Sequence, residues 1–308
     1  RRAAEAGLFE PERLRALYID LVSQPDFEPE SDIEAAFALL RQRPEPVRPP
    51  ELQSLQVGPQ NGADGLWPPV EEDAFADSED GPEDTRPLVE RQASAVAEAL
   101  ESVRGADAGF ATMAGVFYND LKSLPTDTAS QEDAVTFARA ALAAGNGGLA
   151  LYWLDAAQGA NDAGNVDAQA ELMRGYALLL ERGRDRGAIE DITSALLDPE
   201  AGGSTKAAAL RLFAVWAGFD VSLPVEAREA LVRSSSAGQS GAGSALVGLD
   251  AASRSGAHGE AILVLLGLTS GEPDALPPAA LQTVIAVLRR LGADEDARAL
   301  ALETAGVL

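Results

Sequence analysis

Few side chains in this sequence could do chemistry, and their spacing argues against most reactions. His258 is the only histidine, in Ser255-Gly256-Ala257-His258-Gly259. As a general base it would need a nucleophile beside it and a carboxylate to orient it. Ser240, Asp250 and His258 stand in a hydrolase-like order, but no G-x-S-x-G elbow surrounds the serine and Asp250 falls within a helical pattern. His258 therefore reads as structural or exposed. Gly238, Gly241 and Gly243 precede a helix, whose free N–H groups could take a phosphate. With no P-loop lysine, no preceding strand and no G-x-G-x-x-G order, they read as an ordinary connection. Asp77, Glu79, Asp80, Glu83 and Asp84 could attract calcium, but their spacing around Gly81 does not fit an EF-hand loop.

The chain has no cysteine, which removes disulfides, thiol nucleophiles and Cys/His zinc sites from consideration. No catalytic, cofactor-binding or metal-ligating residue is expected, and no cofactor. Paired carboxylates of the kind that cleave glycosides are harder to dismiss, because acidic residues are abundant. A sugar cleft usually adds an aromatic platform. Trp153 and Trp216 sit among helical apolar residues and are expected in the core. Trp67 differs: Leu66-Trp67-Pro68-Pro69-Val70, followed by Glu71, Glu72, Asp73 and Phe75, lies in polar, proline-stiffened surroundings. Burying such an aromatic contributes roughly 1.5–3 kcal/mol. Leu66, Trp67, Val70 and Phe75 are therefore the candidate docking residues, folding back onto this chain or onto a partner.

Charge narrows the partners. The 49 acidic and 24 basic side chains leave a formal charge of −25, which repels phosphate backbones and anionic lipid surfaces. Nucleic acid is not an expected partner, whereas a basic protein is. Apolar runs such as Ala261 to Leu268 fall far short of the roughly 20 residues that span a bilayer, so no membrane insertion is expected. The first residue, Arg1, is not a methionine; the sequence reads as a mature or trimmed form, and the absence of a visible leader carries no information.

The elements that would position these residues are helices. Alanine and leucine favour them because they lose little rotamer freedom on ordering. Residues 1–43 read as a helical hairpin, with Pro11 in a first turn and Ser31 with Glu34 as a capping box. Residues 44–86, with eight prolines and an acidic run from Glu71 to Asp84, read as a linker largely without regular structure. Residues 87–308 read as a helical-repeat domain. Its segments are 87–104, 107–123, 131–144, 148–158, 165–182, 187–197, 204–218, 224–234, 243–254, 259–268, 278–291 and 294–305. Gly145, Gly183 and Gly292 fit left-handed helix ends; Ser130, Asn165 and Ser204 fit N-caps; Pro224 and Pro277 fit first turns. Short helices joined by short breaks must pack mainly on their sequence neighbours. The expected fold is all-α, with stacked helical hairpins forming an α-solenoid; an α/α toroid is the alternative.

Ala150, Tyr152, Trp153, Ala156, Ala157 and Gly159, then Asp167, Ala168, Gln169, Leu172 and Tyr176, resemble a degenerate Sel1-type repeat, a cousin of the tetratricopeptide repeat. About forty residues carry the resemblance, and Ala160 to Asn165 interrupts it like an insertion. It implies a scaffold or adaptor that binds peptides or proteins. Gly7-Leu8-Phe9 through Tyr18, and Leu288-Arg289-Arg290-Leu291 through Leu302, resemble helical proteins of alphaproteobacteria, a resemblance that implies no activity. The resulting expectation is a non-enzymatic scaffold in a bacterial envelope, periplasmic by its lack of cysteine, with the cytoplasm as the alternative. A carbohydrate- or peptidoglycan-active α/α enzyme and a structural subunit of a surface assembly are the competing readings.

Overall fold

The computed structural model describes residues 10–24, 27–42, 85–104, 109–159, 168–181, 185–198, 202–235, 243–269 and 276–306. Among these residues there are fourteen α-helices, one turn of 3-10 helix at Thr126–Thr128, and no strand. The protein is all-α. The helices are α1 (Pro11–Leu21), α2 (Asp32–Leu40), α3 (Leu88–Glu101), α4 (Gly109–Ser123), α5 (Gln131–Ala143), α6 (Gly147–Gly159) and α7 (Ala168–Leu180). They continue as α8 (Arg186–Leu196), α9 (Gly203–Gly218), α10 (Val225–Ser235), α11 (Gly243–Ser255), α12 (His258–Thr269), α13 (Pro278–Arg290) and α14 (Asp294–Thr304). Each of the twelve segments expected after residue 86 is present, with boundaries within three residues.

Local chemistry explains most of these limits. Ser130 accepts from Asp133 N, and the Asp133 carboxylate accepts from Ser130 N, a reciprocal cap. Gly145 and Gly292 have φ of +76° and +82°, where a side chain would be strained. Other expectations shift. Ser31 caps α2 through Glu34 N, but the Glu34 carboxylate passes over Ser31 to accept from Glu30 N at 2.8 Å. Ser204 is not the N-cap of α9, because the helix begins one residue earlier and Gly202 precedes it. Pro277 likewise precedes α13, and Pro278 takes the first-turn position. Asn165 and Gly183 lie outside the described residues.

Contacts order the helices into a row: α2, α3, α5, α7, α9, α13 and α11, each packed on the next. Four of the others flank it and bridge consecutive members, α4 on α3 and α5, α6 on α5 and α7, α8 on α7 and α9, α10 on α9 and α13. From α3 to α9 the partners are sequence neighbours. Then the order breaks. Helix α9 packs on α13 more extensively than on any helix adjacent to it in sequence, so α13 enters the row ahead of α11.

Two glycines mark close approaches within the row. A Cβ at Gly218 would meet Ile285 Cβ and Cγ2, both at 2.8 Å, and Gln282 O at 3.1 Å. At Gly175 it would meet Leu212 Cδ2 at 2.5 Å, and the Gly175 carbonyl accepts from Trp216 Nε1 at 3.1 Å. Small residues at these crossings let the backbones approach, so α9 is held between α7 and α13.

The N-terminal hairpin shares this core. One apolar cluster runs from Leu14 to Leu302, and the sequence between residues 42 and 85 does not separate two cores. Tyr18, Phe37 and Phe117 stack with centroids 5.1 and 5.0 Å apart, joining α1, α2 and α4. Arg15 donates to Val116 O at 2.8 Å and to both carboxylate oxygens of Asp120. Buried Gln92 donates to Leu39 O and Gln42 O at 2.8 and 3.1 Å, tying α3 to the C-terminal end of α2.

A polar tie joins α3 to α5. The Glu101 carboxylate accepts from Thr136 Oγ1 at 2.9 Å and from Arg139 and Arg104, each at 3.1 Å; Arg139 is 5% exposed. Burial pushes the Glu101 carboxyl up, but the Thr136 and Arg104 hydrogen bonds and the two guanidinium charges outweigh it, holding it below the usual carboxylate range. Burial, followed by the charge of Arg104, lowers Arg139, against the pull of Glu101.

Two measurements check this account. Gly218→Ala should destabilise by about 1–3 kcal/mol through overpacking. Gly248→Ala, on α11 with nothing within 4 Å of the added methyl, should stabilise by roughly 0.5–1 kcal/mol through helix propensity. Urea unfolding of both variants gives the two signs; equal effects would refute the close approach. The lowered Glu101 value means its contribution is whole above about pH 4.3 and is lost as pH falls through the folded-state value. Glu101→Gln should therefore lower stability near neutrality and converge on the wild type in acid. Because the Glu101 side chain is 38% exposed, the difference should stay below about 1 kcal/mol.

Candidate functional site

Most apolar side chains among the described residues are covered. Exposed large ones are scattered over several helices, but α12 alone carries three, Ile262, Leu263 and Leu266. This helix carries Ala261, Ile262, Leu263, Val264, Leu265, Leu266 and Leu268, so it is apolar on every side. A helix of that kind is normally enclosed. Here Ala261 and Leu265 turn inward and are 0% and 8% exposed, whereas Ile262, Leu263 and Leu266 are 50%, 71% and 60% exposed. The inward pair joins Leu249 and Ala252 of α11 with Val284 and Val287 of α13 in a second, smaller apolar cluster.

The cause lies in the broken order of the row. Helices α4, α6, α8 and α10 each bridge two row members, but α12 has α11 as its only extensive partner among the described residues and α14 has α13. The space between them is a groove of about 690 Å³. Leu265, Ile262 and Leu266 line one side, Val284, Leu288 and Leu291 the floor, and Leu300 the other side. His258, Asp296 and Glu303 stand at its edge. Covering half-exposed Ile262 and Leu266 would release on the order of 1 kcal/mol each.

A second groove, of about 650 Å³, lies on the far side of the first turn of α14, and Ala293 and Asp296 border both. It is polar, and its principal cation is already engaged. Arg289 donates to Gly218 O at 3.0 Å and Asp220 Oδ2 at 2.7 Å, and lies 5.3 Å from the Phe219 ring centroid. The carboxylates here, Asp294, Glu295 and Asp296, follow one another on one helical turn and do not face each other across a cleft. The apolar groove, with its uncovered side chains, is the stronger candidate site.

The residues singled out from sequence fall as follows. Leu66, Trp67, Val70 and Phe75 lie outside the described residues, as do Asp77 to Asp84, Ser240, Gly238 and Gly241. His258 is exposed at the first turn of α12. Asp250 accepts from Arg254 at 3.2 Å and from Arg290 at 3.1 Å, so two guanidinium groups occupy the carboxylate that a triad would need. Gly243 is simply the first residue of α11. Trp153 and Trp216 are 0% and 1% exposed, as expected, and offer no stacking surface to a sugar. Among the described residues no group of three or more His, Asp or Glu side chains is gathered for a metal, and no helix is long and apolar enough to cross a membrane.

The groove residues were not picked out by motif reasoning. Their signal was the run Ala261 to Leu268, too short for a bilayer and too uniformly apolar for a surface helix. No family model, curated protein or solved structure matches the chain. The repeat resemblance rests on its own residues, of which Ala150, Trp153, Ala157 and Tyr176 are buried where α6 and α7 meet the core, while Tyr152 is 49% exposed.

If the outward face of α12 carries no folding load, Ile262→Ser and Leu266→Ser should each change stability by less than about 0.5 kcal/mol, and Leu265→Ala should cost about 2–5 kcal/mol. Thermal unfolding of the three variants decides it; similar losses at 265 and 266 would mean that the face is buried in solution.

Proposed function

We propose that this protein is a non-enzymatic scaffold that holds a protein partner in the groove between α12, α13 and α14. The observation that carries the reading is the uncovered apolar face of α12, Ile262, Leu263 and Leu266, beside a groove floored by Val284, Leu288 and Leu291. Stacked helices supply a rigid frame on which such a face keeps its shape in the absence of a partner. The Sel1-type resemblance points to the same class. A cysteine-free sequence suits an oxidising compartment, which favours the bacterial envelope as the place of action.

Site-specific photo-crosslinking in cells tests the reading. A crosslinker at position 266 should trap a discrete protein partner, and one at position 186, an exposed site at the start of α8, should not. Identical patterns at the two positions, or no adduct at 266, would remove the groove as a docking site.

A further inference from the structure

We infer that the occupant of this groove is a cationic amphipathic helix, a segment with leucine-like anchors on one face and lysines or arginines flanking them. The inference rests on the docking reading above and adds the chemistry of what docks.

Shape comes first. The flanking layer lacks a bridging helix between α12 and α14, and the groove left there has apolar side chains on both walls and the floor. A helical segment about 10 Å across and two turns long, about 11 Å, fills roughly 860 Å³. A groove of about 690 Å³ has room for anchor side chains from the apolar face of such a segment. The described residues contain no strand, so there is no sheet edge on which an extended peptide could be hydrogen-bonded. A helix brings its own backbone hydrogen bonds and needs only anchors at i, i+3 or i+4, and i+7.

Charge selects among helices. The lining includes two carboxylates, Asp296 and Glu303, and neither lysine nor arginine. Both carboxylates are exposed, and so is Glu260 on the first turn of α12; Asp294 and Glu295 face the polar groove on the other side of α14. An acidic rim around an apolar floor attracts cationic flanks and rejects anionic ones. The same rim disfavours two candidates from within this protein. A second copy, at −25, would set carboxylates against carboxylates, and the Leu66–Phe75 stretch carries Glu71, Glu72 and Asp73 beside its aromatic residues.

The test is a titration of the full chain with fluorescent peptides of about four helical turns. One peptide has leucines at i, i+4, i+7 and i+11 with lysines between. A second has glutamates for the lysines, and a third has the first composition interrupted by proline. The lysine helix should bind, with an affinity that falls as salt rises. The glutamate and proline peptides should bind at least about tenfold more weakly. Ile262→Ser/Leu266→Ser should weaken the lysine peptide by about tenfold or more, and Asp296→Asn/Glu303→Gln by about threefold with a shallower salt dependence. Equal binding of the lysine and glutamate helices would overturn the cationic assignment. Equal binding of the proline peptide would overturn the helix. Undiminished binding to the serine variant would place the peptide elsewhere on the acidic surface and overturn the inference. A concentration-dependent dimer in sedimentation, lost in the serine variant, would make the occupant a second copy. If a partner still crosslinks at position 266 while the lysine helix fails to bind, the occupant is wrong and the docking site stands; if both fail, the docking site falls with it.

Discussion

The contact between α9 and α13 governs the rest of the architecture. Helices α3 to α9 pack on their neighbours in sequence, and continuing that rule would put α11 against α9. Instead Gly218 presents bare backbone to Ile285, and the two helices approach to a separation that a single methyl would block. The Arg289 hydrogen bonds to Gly218 O and Asp220 close the same junction from its polar side. With α13 seated there, the α11–α12 hairpin is displaced one place outward. Its second helix then has no flanking neighbour, and the apolar groove is the space this leaves.

A groove made in this way differs from a cleft built for catalysis. Its walls are leucine, isoleucine and valine, and the charged groups near it are exposed and on its edge. Several of the more buried polar groups are committed to structure. Arg139 and Glu101 tie α3 to α5, Gln92 ties α3 to the end of α2, and the Trp216 indole donates to Gly175 O. Polar chemistry holds the row together, and apolar surface is what remains to be used.

The N-terminal hairpin follows the same economy. Stacking of Tyr18 on Phe37 and of Phe37 on Phe117 makes it a continuation of the row, beginning with α2 on α3. The bidentate Arg15–Asp120 pair and the Gln92 amide fix its orientation with groups that would otherwise lose hydrogen bonds on burial.

The sequence by itself determined the helices. Their caps, glycine stops and apolar periodicity are local properties, so residues 88 to 304 could be divided into helices to within three residues at each end. It also placed Trp153 and Trp216 in the core, because both stand among apolar residues at helical spacing. Only the tertiary structure decided which helices touch. That α9 would choose α13 over α11 depends on Gly218 and Ile285 meeting across 66 intervening residues, and a glycine near a helix end reads locally as a stop and not as a point of contact. For the same reason the run Ala261 to Leu268 announced burial without revealing that one face would stay uncovered: exposure belongs to the arrangement of neighbours, and no periodicity within one helix records it.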